Sequence, residues 1–130
     1  MKWDWKPNES VGVLVFGEAM PDMRELEAIL LAPDEDDPPT EEHFAVANEE
    51  ARVVLRAGKI TDVECSVSIT FNGIELIGLP IGDIEKVLQR KTSRIHSYEF
   101  YVEELGAVFW VEDGVVDSVT VYAGLAESGN

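Results

Sequence analysis

Cysteine, histidine and positive charge are all scarce in this chain, and each shortage removes a class of chemistry. The single cysteine, Cys65, has no second thiol with which to close an internal disulfide, which fits a reducing compartment. It alternates with Val63 and Val67 in a strand pattern, so it reads as an inert core thiol. The two histidines, His43 and His96, occupy unlike positions, and no His-Glu-x-x-His, paired-cysteine or EF-hand spacing accompanies them. Ser66 and Ser68 lack a nucleophile elbow. No catalytic residue, cofactor or metal ligand is therefore expected.

Long apolar runs are missing as well. No window approaches 18 apolar residues, and the start, Met1-Lys-Trp-Asp-Trp-Lys-Pro7, carries charge where a secretory signal needs an apolar stretch. The expectation is a cytoplasmic chain. Ten Lys and Arg face 26 Asp and Glu, a formal charge of −16. That field repels nucleic acid and anionic membranes, which leaves a basic protein as the natural charged partner.

What is present supports a packed domain. With 130 residues, of which 45% are hydrophobic, the chain is long enough to bury a core, and it reads as one domain over 1–130. Trp3 and Trp5 lie two apart, so in an extended segment both rings face one side. Being near the terminus and flanked by Lys, they are expected to be exposed and available to a partner. An apolar strand follows over 11–16. Pro21 opens a helix reaching about Ala32, with Met23, Leu26, Ile29 and Leu30 as its buried stripe, and Pro33 stops it.

Asp34-Glu-Asp-Asp-Pro-Pro-Thr-Glu-Glu42 has no apolar residue and reads as a solvated loop. Its first four carboxylates attract cations in general but lack the glycine and the spaced bidentate Glu of a calcium loop. Short strands are expected over 43–47 and 51–56. Gly58 then turns into a long alternating strand over 60–71, which predicts a sheet with one wet and one buried face. Asn72-Gly73 is a hairpin signal that folds a strand over 74–77 back onto it. A second helix over 83–91 buries Ile84, Val87 and Leu88. Before it, Gly78-Leu-Pro-Ile-Gly82 offers helix amides to an anion, but Asp83 and Glu85 oppose that use. A strand over 98–102 and a hairpin around Asp113-Gly114 follow, and the tail after Ala123 reads as frayed.

The halves resemble each other. Placing Gly12 over Gly73 also places Gly17 over Gly78; placing Gly58 over Gly114 aligns Ala51, Val53 and Leu55 with Ala107, Phe109 and Val111. The first offset is 61 and the second 56, so the first copy is five residues longer, in the interval that holds the acidic loop. The expected fold is α+β: two tandem β-α-β-β(β) repeats, halves about 10–71 and 72–124, forming a mainly antiparallel sheet with two helices on one face.

Ser10-Val-Gly-Val-Leu-Val-Phe-Gly17, the segment 52–58, Gly73-Ile-Glu-Leu-Ile-Gly78 and Leu105-Gly-Ala-Val-Phe-Trp110 before Asp113-Gly carry a resemblance. They resemble a loose group of small bacterial proteins in which a Gly-Val-Gly-x-x-x-Phe-Gly segment precedes a tandem β-α-β-β repeat. The resemblance spans about 11–122 and implies a fold and a bacterial origin, but no activity. The long acidic loop departs from that pattern. More distantly, the plan is similar to small inhibitory proteins built from tandem helix-plus-sheet units.

Charge is uneven along the chain. Between Glu18 and Glu50, twelve carboxylates face one cation, Arg24, so this window carries −11. The expected function is that of a non-enzymatic, immunity-protein-like inhibitor of a basic partner such as a toxin. Asp34, Glu35, Asp36, Asp37, Glu41, Glu42, Trp3 and Trp5 would form the contact. A DNA-mimic regulator and a small-ligand-binding or enzymatic domain without a linear motif are the alternatives.

Overall fold

The computed structural model describes residues 2–123, so the tail after Ala123, expected to fray, lies outside the described residues. In chain order the strands are β1 (Trp5–Lys6), β2 (Ser10–Val11), β3 (Leu14–Val15), β4 (Ile29–Leu30), β5 (Glu41–Val46), β6 (Ala51–Arg56), β7 (Lys59–Cys65), β8 (Thr70–Phe71) and β9 (Ile74–Glu75). Helix α1 (Ile81–Leu88) precedes β10 (Ser93–His96), β11 (Glu99–Val102), β12 (Ala107–Glu112) and β13 (Val115–Tyr122). Strands make up 45% of the described residues and helical residues 9%. The protein is therefore mostly antiparallel β-sheet with one α-helix among the described residues, and the expectation of an α+β fold with two helices is overturned.

Eight strands form one antiparallel sheet in the order β10-β11-β12-β13-β7-β6-β5-β4. Alternation gives it two different faces. Val53, Val63, Val119, Val121, Ala107 and Phe109 point to one side and are buried. Against them pack Trp3, Trp5, Val11 and Leu14 from the β1-β2-β3 unit, Ile69 and Leu76 around the β8-β9 hairpin, and Ile84 and Leu88 of α1. On the other side Arg52, Val54, Asp62, Glu64, Thr120 and Trp110 meet solvent in part.

The two halves of the sheet are geometrically alike. Strands β5-β6-β7 and β11-β12-β13 correspond at a constant offset of 56, as Ala51 does to Ala107. Each has a bulge at the same place, Thr61 in β7 and Asp117 in β13. Ala57-Gly58 and Asp113-Gly114 both turn with positive φ at both residues, the requirement of a tight two-residue hairpin. Gly17 N–H bonds Ile60 O at 2.8 Å, and Gly78 N–H bonds Val116 O at the same distance. The halves meet where β7 pairs antiparallel with β13.

The helix expected over 21–32 is absent. Leu26 N–H bonds Asp22 O and Ala28 N–H bonds Met23 O, which makes a single turn that ends at Glu27 with φ 51. The chain then extends: Ile29 and Leu30 pair with Ala45 and Phe44, and Leu31 N–H bonds His43 O at 2.8 Å. A short helix is marginal unless its apolar face is packed, whereas the free edge of β5 supplies backbone partners directly. Leu26 alone of the expected stripe is buried, while Met23, Ile29 and Leu30 are exposed.

Two expected strands are also broken. The run over 11–16 turns at Gly12-Val13, with Gly12 at φ 58, so that Val11 faces Leu14. The run over 60–71 leaves the sheet after Cys65, leaving Val67 exposed and carrying Ile69 into the core. The Asn72-Gly73 hairpin forms as expected, with φ values of 51 and 80. It is a separate two-stranded piece, so the strand over 74–77 does not fold back onto the long strand of the main sheet as expected. Strand β10 went unread, since all four of its residues are exposed and carry no alternation.

Candidate functional site

The structure separates the eight residues expected at a partner surface into three groups. Trp3 and Trp5 are buried, at 1% and 3% exposure, which overturns their assignment as contact residues. The β1 segment is held between two hairpins: Gly12 N–H bonds Asp4 O at 2.9 Å and Thr70 N–H bonds Trp3 O at 3.0 Å. Both rings are thereby drawn under the sheet. Trp3 Nε1 donates to Glu50 Oε1 at 3.2 Å, and Trp5 packs 5.5 Å from Phe71, ring centre to ring centre.

Asp34, Glu35, Asp36 and Glu42 form the second group and are exposed. They flank a loop whose place in the fold is informative. Between β10 and β4 the offset of equivalent residues is 64, from Ser93 and Ile29, which pair with Tyr101 and Ala45. Beyond the loop it is 56, so the connection from β4 to β5 is eight residues longer than that from β10 to β11. The second half is three residues longer where α1 lies, from 61 at the paired glycines to 64. The acidic stretch is the surplus segment of the first half, and it borders the edge strand β4, where Ile29 and Leu30, on opposite faces of the strand, are 64% and 58% exposed.

The third group, Asp37 and Glu41, converges with His43 in a cluster that the sequence reading did not bring together. Asp37, Glu41 and His43 bring one ligand atom each within 4.8 Å of one another. Glu41 and His43 alternate on β5 and so share the open face of the sheet. Asp37 arrives from the loop, ahead of Pro38-Pro39, and its Oδ2 accepts the Asp34 N–H at 2.9 Å. His43 Nε2 lies 2.8 Å from Glu41 Oε1 and 3.8 Å from Asp37 Oδ2. The available signal was Glu-x-His at the start of a strand, two potential ligands on one face.

The cluster continues across the sheet. Arg56, opposite Glu41 on β6, places Nε 3.5 Å from Glu41 Oε2 and Nη1 2.8 Å from Asp62 Oδ1. A cleft of about 380 Å³ lies on the loop side, lined by Leu30, Leu31, Asp37, Glu41 and His43 among others. Another, of about 500 Å³, lies on the far side of Arg56, with Phe16, Lys59, Asp62 and Tyr122.

Elsewhere the electrostatics are those of packing. Burial, aided by Glu64, Glu75 and Glu50, pushes the Cys65 thiol up to about 12, and burial first, then Glu103 and Asp62, raises the Tyr122 phenol. Over 86–98 the chain carries Lys86, Arg90, Lys91 and Arg94 and no carboxylate, so the segment running into β10 is cationic where the loop beside β4 is acidic, although Lys86 pairs with Asp83 and Arg90 with Glu104. Among the described residues no helix is long and apolar enough to cross a membrane. No family model, curated protein or solved structure matches this chain.

Proposed function

We propose that the protein is a non-enzymatic interaction protein that takes a basic protein partner on its β4 edge, as an immunity protein takes a toxin. The observation that carries this reading is the surplus acidic segment 33–40 lying beside an open edge strand with exposed Ile29 and Leu30. An edge strand with exposed apolar side chains and a charged loop beside it offers a partner both apolar and polar contacts, and an unpaired edge is a hazard unless something covers it. The carboxylates would steer a cationic partner and reject acidic competitors. Asp34, Glu35, Asp36 and Glu42 form the rim in this reading, joined by Asp37 and Glu41 behind them; Trp3 and Trp5 play no part.

The reading is tested by capture from the native host with two baits, the wild type and the combined variant Asp34→Asn, Glu35→Gln, Asp36→Asn. A basic protein is expected on the wild type, with its purified complex associating at least about tenfold more slowly at high salt and more slowly with the variant. Capture of an acidic or neutral protein, or association indifferent to both salt and variant, would overturn it.

A further inference from the structure

We propose that Asp37, Glu41 and His43 bind one divalent first-row transition-metal ion of the zinc type, which pins the acidic loop to β5. Zinc bonds of about 2.1 Å in tetrahedral geometry place neighbouring ligand atoms roughly 3.4 Å apart. The distances from His43 Nε2, 2.8 Å to Glu41 Oε1 and 3.8 Å to Asp37 Oδ2, lie on either side of that spacing, and all three ligand atoms lie within 4.8 Å of one another, so side-chain rotations that draw them together would complete the geometry. The two carboxylates are already largely withdrawn from water, with side chains 11% and 18% exposed.

The surrounding contacts fit ligation. Arg56 Nε at 3.5 Å engages Glu41 Oε2, which leaves Oε1 for an ion. The Asp34 N–H holds the Asp37 carboxylate. Outer partners of this kind fix ligand orientation in metal sites. One imidazole nitrogen with two carboxylate oxygens suits zinc and its neighbours better than magnesium or calcium, which favour all-oxygen sets. The fourth coordination position would open into the cleft beside Leu30 and Leu31. A plain His43-Glu41 ion pair is the competing account, and in it Asp37 has no special role.

Calorimetric titration of chelator-treated protein with zinc chloride decides between them. One equivalent is expected to bind, and the variants His43→Gln and Asp37→Asn are each expected to weaken binding at least about tenfold, since even the loss of an outer partner of a ligand typically costs that much. Asp36→Asn removes the same charge from the same loop outside the cluster, and is expected to leave affinity within about twofold because an exposed charge is screened. Zinc should also raise the melting temperature of the wild type and not that of His43→Gln, whose metal-free melting reports whether it is folded. Absence of binding by the wild type, equal losses in Asp36→Asn and Asp37→Asn, or undiminished binding by folded His43→Gln would each overturn the proposal.

Discussion

Glu64 and Thr120 face one another where the two halves of the sheet meet, and they are the pair about which the halves interchange. They stand 56 positions apart, the offset that relates β5-β6-β7 to β11-β12-β13, and their neighbours pair crosswise, Cys65 with Val119 and Val63 with Val121. An approximate twofold axis therefore passes through this pair. The side chains break the symmetry: Trp110 Nε1 donates to Thr120 Oγ1 at 3.0 Å and Thr120 Oγ1 lies 3.4 Å from Glu64 Oε2, whereas Val54 occupies the place equivalent to Trp110.

That hydroxyl joins an indole to a carboxylate on the open face. Thr120→Val is expected to destabilise by about 1 kcal/mol, the usual net worth of such bonds. Trp110→Phe should cost a comparable amount through the same bond, and the double variant less than the sum of the two. Urea denaturation of the three proteins checks this; strict additivity would show that the bonds act separately.

Trp5 gives a sharper contrast. Its Nε1 is buried and has no hydrogen-bond partner among the described residues. Trp5→Ala is expected to cost about 3 to 5 kcal/mol through the cavity it leaves. Trp5→Phe keeps most of the ring against Phe71 and removes the unsatisfied donor, so it should cost less than about 1.5 kcal/mol. Thermal melting of both distinguishes a core residue from an exposed contact, for which both changes would be near neutral.

Two glycines test the turns. A Cβ on Gly12 would meet Lys2 O at 2.6 Å, and its φ is 58; one on Gly17, at φ 84, would meet nothing within 4 Å. Gly12→Ala should therefore destabilise clearly more than Gly17→Ala, which suffers only the backbone strain of roughly 1 to 2 kcal/mol. Equal losses by chemical denaturation would mean that the contact with Lys2 relaxes freely.

Cys65 sets a pH dependence. Its thiol is raised from 9.0 to about 12 in the fold, so folding favours the protonated form. The corresponding stability is fully present below pH 9 and is lost as pH rises from 9 towards 12. Cys65→Val should flatten this part of the pH profile, and the native thiol should resist alkylation until the protein unfolds. Rapid labelling of folded protein near pH 8 would contradict the burial.

The sequence showed the sheet more clearly than what covers it. Hairpins around Ala57-Gly58, Asn72-Gly73 and Asp113-Gly114 were legible because positive φ restricts the residues that can turn there. Strand β6 was legible from alternation, and β12 and β13 as the arms of the Asp113-Gly114 hairpin. The stripe of Met23, Leu26, Ile29 and Leu30 misled, because helical spacing says nothing about whether a neighbouring strand offers an unpaired edge. Likewise Trp3 and Trp5 looked accessible from their place near the terminus; backbone bonds to Gly12 and Thr70, distant in the chain, tuck them beneath the sheet. Of the Asp37, Glu41 and His43 cluster, the strand pair was readable, but the approach of Asp37 depends on the path of the loop.

The opposed character of the two sheet edges has a consequence for encounters at a distance. With strands about 4.8 Å apart, the acidic loop beside β4 and the cationic segment that runs into β10 are attached at opposite ends of an eight-strand row. Separation of charge on that scale is a permanent dipole lying across the strands, superimposed on the overall negative charge. A cationic protein drifting nearby would exert a torque before any contact formed, turning this molecule until its surplus loop points forward.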